Sequence, residues 1–389
     1  MTGHAVLFSI FLIFTGAALL ATLALYARQS LLVAYIALGI LIGPWGLALV
    51  SEPDLIRDIA QVGIIFLLFL LGLNLHPQKL LHLLREAMRV TVLSSALFAA
   101  GGFGIGAAFG YTVTESLLIG AAAMFSSTII GLKLLPATAL HHQHVGEVII
   151  SILLLQDLLA ILVLLLLRGL GPEAAGGTEL LRLVVALPAL VLGAFLVERH
   201  VLIRLVRRFD QIQEYIFLVA IGWCLGIAEL GTALGLSPEV GAFVAGVALA
   251  SSPISRFIAE SLRPLRDFFL IMFFFAVGAG LQLPAMGRVL IPALLLAAAA
   301  LWVKPPLFRR LLTREGERPE LATEIGVRLG QVSEFSLLIA YLGTAHGALR
   351  AEASTLIQLT VLLTFVGSSY RVGRRYPTPI ATDARLRRD

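Results

Sequence analysis

Long apolar runs separated by short polar loops set the rhythm of this chain. Windows of about 20 apolar residues, the length that carries a helix across a bilayer, recur thirteen times, at 5–25, 31–50, 56–75, 90–110, 114–136, 146–167, 180–198, 213–232, 236–251, 265–283, 289–308, 321–345 and 354–370. They predict an all-α polytopic membrane protein with thirteen transmembrane helices. The run from Ala5 to Leu25 has no Lys or Arg before it and exceeds a signal-peptide core, so it is expected to remain as the first span. Gly39, Gly43, Pro44 and Gly46 crowd the second window, whose regular part should be short. Between spans three and four, residues 76–89 are amphipathic and basic and are expected to lie along the membrane surface.

The pattern repeats. Ser30–Gly39 aligns with Ser237–Gly246 at an offset of 207 residues, and Gly72-Leu73-Asn74-Leu75 meets Gly280-Leu281-Gln282-Leu283 at 208. Spans one to six then pair with eight to thirteen. Repeat one covers about 1–168, a linking helix 180–198, and repeat two 213–370. Span one and span eight run in opposite directions, so the repeats are inverted, an arrangement that places ion sites near the midplane at helices broken in the middle. Ser126-Ser127-Thr128 in span five and Ser333-Glu334 in span twelve coincide under this operator. Two crossing discontinuous helices are therefore expected, with helix-packing hydroxyls as the simpler reading of the serines and threonine.

Composition agrees with a membrane protein: 59% of residues are hydrophobic and 14% charged. The basic residues change the picture by their placement. With the N-terminus outside, 22 of the 29 Lys and Arg fall in cytoplasmic loops or the tail 371–389. That asymmetry predicts an N-out, C-in topology, and a charge of +5 distributed this way argues against nucleic acid as a partner. The single Cys224 leaves no disulfide or thiolate metal site. His141, His142 and His144 share a loop and are read as solvated, with a metal or pH-sensing cluster as the alternative.

Chemistry concentrates where charge interrupts the apolar runs. Asp157, beside Gln156 in Ile149–Ile161, would cost roughly 3 to more than 10 kcal/mol at bilayer depth. Such a carboxyl must face a protein interior or a wet cavity, where a proton and a cation can compete for it. A permanent pairing with a cationic side chain is the alternative. Gln156 can orient Asp157 or ligate a cation; Ser126, Ser127, Thr128 and freed carbonyls would suit a hard monovalent ion. Lys304, followed by Pro305-Pro306, reads either as a lysine snorkelling to the surface or as a core charge. Arg328 and Glu334, six residues apart in span twelve, are expected to offset helix-end dipoles across a break, together with Ser333. Glu115 and Glu229 read as interfacial. No nucleophile elbow, HExxH motif or second aligned aspartate supports an intramembrane enzyme.

In this order, Phe66–Leu75 (FLLFLLGLNL), Ser126-Ser127-Thr128, Leu155-Gln156-Asp157, Gly241–Gly246 (GAFVAG), Phe273–Gly278 (FFFAVG) and Ser333-Glu334-Phe335 resemble the Kef-type branch of the cation/proton antiporter superfamily, over residues 5–370. The resemblance implies a bacterial inner-membrane homodimer in which spans four to six and eleven to thirteen form a core that moves, elevator-like, against a scaffold. It implies exchange of a monovalent cation for protons at Asp157, with no cofactor, and matches Lys304 to a core lysine that pairs with the first of two aspartates in other members. Here that position is Gln156, as in potassium-efflux members, so potassium is favoured over sodium and one-for-one exchange is expected. Many members continue into a nucleotide-binding domain. Here about nineteen basic-rich residues follow the last span, so regulation would fall to a separate subunit. Transport of another solute on the same fold, or a channel or sensor without proton coupling, remain the alternative readings.

Overall fold

A computed structural model describes residues 3–27, 29–50, 53–74, 77–128, 144–167, 176–209, 212–250, 252 and 254–376. Within them the protein is helical, without strands. Helices α1 (Gly3–Tyr26), α2 (Leu31–Ile42), α3 (Pro53–Asn74), α4 (Pro77–Ala108), α5 (Val113–Met124) and α6 (His144–Leu167) form the first part. Next come α7 (Gly176–Val197), a π turn (Glu198–Leu202) leading into α8 (Ile203–Arg208), α9 (Gln213–Ala233), α10 (Pro238–Ala250), α11 (Ser255–Ser261) and α12 (Arg263–Ala279). The last part is α13 (Met286–Ala298), a π turn (Ala299–Val303), α14 (Lys304–Arg314), α15 (Pro319–Arg328), α16 (Glu334–Ala345) and α17 (Ala351–Arg375). Among the described residues, seven continuous stretches are long and apolar enough to cross a membrane: Leu7–Tyr26, Ala87–Ala108, His144–Leu164, Val185–Arg208, Glu214–Ala233, Met286–Arg314 and Ala351–Arg375.

Local sequence explains several ends. Ser30 caps α2 through Leu32 N, and α2 stops at Ile42, ahead of the Gly43-Pro44 turn. Thr112 and Glu115 close a reciprocal capping box at the start of α5, satisfying donors the helix itself leaves open. One expectation changes. The basic segment before span four is not a separate surface helix, because Pro77–Ala108 is a single 32-residue helix. No Gly or Pro occurs between Pro77 and Gly101 to interrupt it.

Two compact units emerge, one from residues 1–53, 83–172 and 274–389, the other from 54–82 and 173–273. In the first, α13 packs on α17, α14 on α15, and α5 on α16. There α2 also crosses α12 closely: a Cβ at Gly39 would run into the Phe275 carbonyl and lie 2.7 Å from Ala279 N. The second unit packs α9 on α10 and stacks Phe66 on Phe269 at 5.2 Å between centroids. Within it, a Cβ at Gly246 would run into the Phe69 carbonyl and lie 2.8 Å from Leu73 N. The two crossings match Gly39 with Gly246 and Gly278 with Gly72, an offset of 206 for the second pair rather than the 208 that aligning Gly72 with Gly280 gives.

Candidate functional site

The site is assembled within the first unit from two interrupted helices and the helix that carries the aspartate. Helix α5 ends at Met124; Phe125, with ψ of 153°, turns the chain extended, Ser126 and Ser127 follow without helix, and Thr128 is again helical. The continuation, 129–143, lies outside the described residues. Helix α15 likewise ends at Arg328, and Leu329–Ser333 run irregularly until Ser333 caps α16, its Oγ accepting from Phe335 N at 3.1 Å. The two breaks lie against one another. Ser126 Oγ donates to Leu329 O at 2.9 Å, Gln331 Nε2 to Ser127 O at 3.3 Å, and Thr128 Oγ1 to Glu334 Oε1. Ser336 Oγ adds a bond to Ala122 O at 2.6 Å.

Gln156 on α6 braces the first break. Its Oε1 accepts from Ser126 N at 2.9 Å and its Nε2 donates to Met124 O at 3.4 Å. One amide thus supplies the acceptor and the donor that a two-sided break requires, which a carboxylate cannot do. Next to it, Asp157 is 2% exposed. Its Oδ2 is buried and has no hydrogen-bond partner among the described residues, and the Glu334 carboxylate lies within electrostatic reach.

Lys304 is wholly buried and holds both breaks at once. Its Nζ donates to Phe125 O at 2.7 Å and to Gln331 O at 3.2 Å, and lies 5.1 Å from the centre of the Phe98 ring. Of the two sequence readings, the snorkelling one is overturned. The ammonium caps the carbonyl ends of interrupted helices, where the backbone dipole is negative, and makes no ion pair with Asp157 among the described residues. The cause is local. Pro305 and Pro306 have no N–H, so Leu301 O and Trp302 O lose their helical donors. The helix widens into the π turn Ala299–Val303, and Arg371 donates to Leu301 O. Trp302 and Val303 stay exposed while Lys304 turns inward.

Arg328 and Glu334 do not meet. Arg328, buried in the last turn of α15, pairs with Glu324 at 2.8 Å and lies 5.4 Å from the Tyr376 ring. Glu334 occupies the first turn of α16. Each sits at the helix end whose dipole its charge offsets. Glu115 is no loosely placed interfacial charge: its side chain is 3% exposed and holds Arg350 through two contacts of 2.7 Å. Glu229 is exposed. Of the histidine trio, His141 and His142 lie outside the described residues, and His144 contacts Glu317 at 2.8 Å. No group of three metal-ligating side chains forms among the described residues.

Sequence reasoning gave Gln331, within the polar cluster of span twelve, and Ser368 no role of their own. Gln331 is fully buried; its amide reaches Ser127 O and accepts from Ser368 Oγ at 3.1 Å. The signal was available, since a glutamine deep in an apolar span is as anomalous there as Gln156.

A buried carboxyl with an unpartnered oxygen among the described residues, beside two facing helix breaks in a chain of membrane-length apolar helices, defines an ion-handling membrane transporter. The model of the family described as "Sodium/hydrogen exchanger, transmembrane" matches residues 10–372. The chain belongs to the sodium/hydrogen exchanger family, whose members are transporters of cations and protons rather than enzymes and need no cofactor. It is 28% identical over 344 residues to the iron transporter MagA of Paramagnetospirillum magneticum strain AMB-1, covering 88% of this chain and 79% of that protein. Among solved structures, the sodium proton antiporter MjNhaP1 of Methanocaldococcus jannaschii at pH 8 superposes with a TM-score of 0.71 at 16% identity, over 93% of this chain and 94% of that one. An electron-microscopy map of the same antiporter gives 0.66 at 15% identity, over 96% and 94%. At these identities the likeness is one of fold.

Proposed function

We propose that the protein exchanges a monovalent cation for a proton, with the Asp157 carboxyl as the group both ions share. The observation that carries this is the buried Asp157 Oδ2, unpartnered among the described residues, beside a network in which Gln156, Lys304 and Gln331 are already engaged with backbone. An ionised and ion-free Asp157 is costly in an apolar core; a proton or a cation removes that cost. Only the loaded forms then cross readily, which couples the two fluxes. Ser126, Ser127 and Thr128 edge the same break and are proposed to contribute oxygen to the cation; Arg328, Ser333, Glu334 and Lys304 hold the two breaks together.

The wider reading follows the Kef-type pattern. Thirteen spans in two inverted repeats, joined by the helix at 180–198, would leave the N-terminus outside and the tail 371–389 in the cytoplasm of a bacterial inner membrane. Spans four to six and eleven to thirteen would move as an elevator against a homodimeric scaffold. A neutral Gln156 leaves Asp157 as the one carboxylate of the pair, favouring potassium over sodium and one-for-one exchange. The matched glycine crossings support the repeat.

In everted vesicles energised to an acid interior, potassium or sodium should dissipate the pH gradient. Asp157→Asn, inserted at wild-type levels, should abolish that response. Undiminished exchange in the variant sinks the assignment. A wild type that instead moves iron with no proton flux favours the substrate named for the relative MagA.

A further inference from the structure

We infer that the hairpin between α14 and α15 carries a binding cleft for the phosphate of an anionic phospholipid. The cleft has a volume of about 420 Å³ and is lined by Pro306, Arg309, Arg310, Thr313, Arg314 and Pro319. Its lining shares no residue with the candidate ion site and does not depend on which ion is carried.

Three guanidiniums line this space, and none has an ion-pair partner among the described residues. The acidic residues of the hairpin face elsewhere: Glu315 turns to Arg89 at 4.0 Å and Glu317 to His144 at 2.8 Å. Exposed Arg318 and Glu320 remain on the linking turn and the start of α15. Thr313 Oγ1 donates to Arg309 O at 2.7 Å, so the strong donors left for a ligand are the arginines. Gly316, with φ of +99°, permits the tight turn that brings Pro319 opposite Pro306. Proline walls add apolar surface and no competing N–H. Planar guanidiniums match phosphate oxygens in paired hydrogen bonds.

Depth identifies the source of the phosphate. Trp302 and Tyr370 are exposed aromatics, each carrying an arginine over its ring: Arg371 at 4.8 Å from Trp302 and Arg374 at 4.2 Å from Tyr370. Aromatic residues so placed mark the membrane–water boundary. Arg309 stands seven residues beyond Trp302, about 10 Å further along the helix. The headgroup layer is roughly 5–8 Å deep on each side, and an arginine side chain, which leans towards the helix N-terminus, reaches back into it from Arg309.

The test is thermal unfolding of the purified full-length protein in neutral detergent, titrated with phosphatidylglycerol or phosphatidylcholine. Phosphatidylglycerol should raise the Tm of the wild type and phosphatidylcholine should not. In R309Q/R310Q/R314Q the lipid-free Tm should be kept and the increment cut by more than half. The charge-matched R204Q/R207Q/R208Q, at exposed positions of α8, should keep the increment. Arg310→Lys, which retains charge but not the planar fork, should lose part of it. Inorganic phosphate and glycerol phosphate should give no shift. Equal loss in both triple variants, an undiminished increment in the first, or a shift of equal size with soluble phosphate would each overturn the proposal.

Discussion

Gln156 shows how much one polar atom decides in this core. Its amide faces an N–H on one side of the first break and a carbonyl on the other. Gln156→Glu preserves shape but sets a carboxylate oxygen against Met124 O, and a buried group left unpaired costs about 1–3 kcal/mol, more when charged. The protonated acid regains a donor. The variant should therefore unfold well below wild type at pH 8 and recover as the pH falls to 5, because stability that depends on a bound proton is lost as pH rises. A Tm difference independent of pH would show that the donor towards Met124 is immaterial. The anomaly of Asp157 was plain in the sequence because a carboxylate in an apolar run must be paired, protonated or ion-bound to be tolerated. The bracing role of Gln156 was not legible, since adjacent helix positions do not share a face and only the course of the backbone shows which one meets the break. Lys304 was ambiguous for a related reason: Pro305, Pro306 and Arg309 read as a helix approaching water.

Among the elements, the π turn before Lys304 governs which way its ammonium points. Proline at 305 deprives Leu301 O of its donor, and the extra residue in the turn re-phases the helix beyond it. Pro305→Ala supplies that N–H and allows regular α-helix, in which one residue corresponds to a rotation of about 100°. Lys304 would swing from the break carbonyls towards lipid. The expected outcome is a folded protein with cation-dependent proton flux reduced at least about tenfold, a loss of roughly 1.4 kcal/mol in effective free energy. Lys304→Met in the same assay should match it; wild-type flux in Pro305→Ala would sever the turn from function. Sequence pointed to the helix breaks because serine and threonine hydroxyls give the backbone other partners, and two polar clusters coincided under the repeat. It did not reveal the π turn, since a Pro-Pro pair ends, kinks or widens a helix according to what can take up the orphaned carbonyl. Here that is Arg371, seventy residues away. The continuous α4 was missed for the converse reason: amphipathic periodicity describes a surface, while good helix formers with no Gly or Pro between Pro77 and Gly101 let one helical backbone run on.

At the scale of the molecule, the matched crossings support an inverted repeat more firmly than residue identity does. Aligning like letters paired Gly72 with Gly280, but what a repeat conserves is the place where two backbones nearly touch. In membranes such close approach is a main source of helix association. Gly39 meets Phe275, Gly278 and Ala279; Gly246 meets Phe69, Gly72 and Leu73. In both, the first obstacle to a methyl group is a backbone carbonyl, which cannot swing aside as a side chain can. Gly39→Ala and Gly246→Ala should therefore each cost about 1–3 kcal/mol through overpacking, and by similar amounts, because the surroundings are the same. Gly101 and Gly222 have no heavy atom within 4 Å of a Cβ. Alanine there should leave stability unchanged or raise it by up to about 1 kcal/mol, as expected inside a helix. Unfolding of the four variants in one detergent provides the comparison. If Gly39→Ala is damaging while Gly246→Ala is silent, the crossings are not equivalent and the repeat loses its structural support. If both fall together while Gly101→Ala and Gly222→Ala hold, then the two close crossings, one in each compact unit, are constrained by the same geometry.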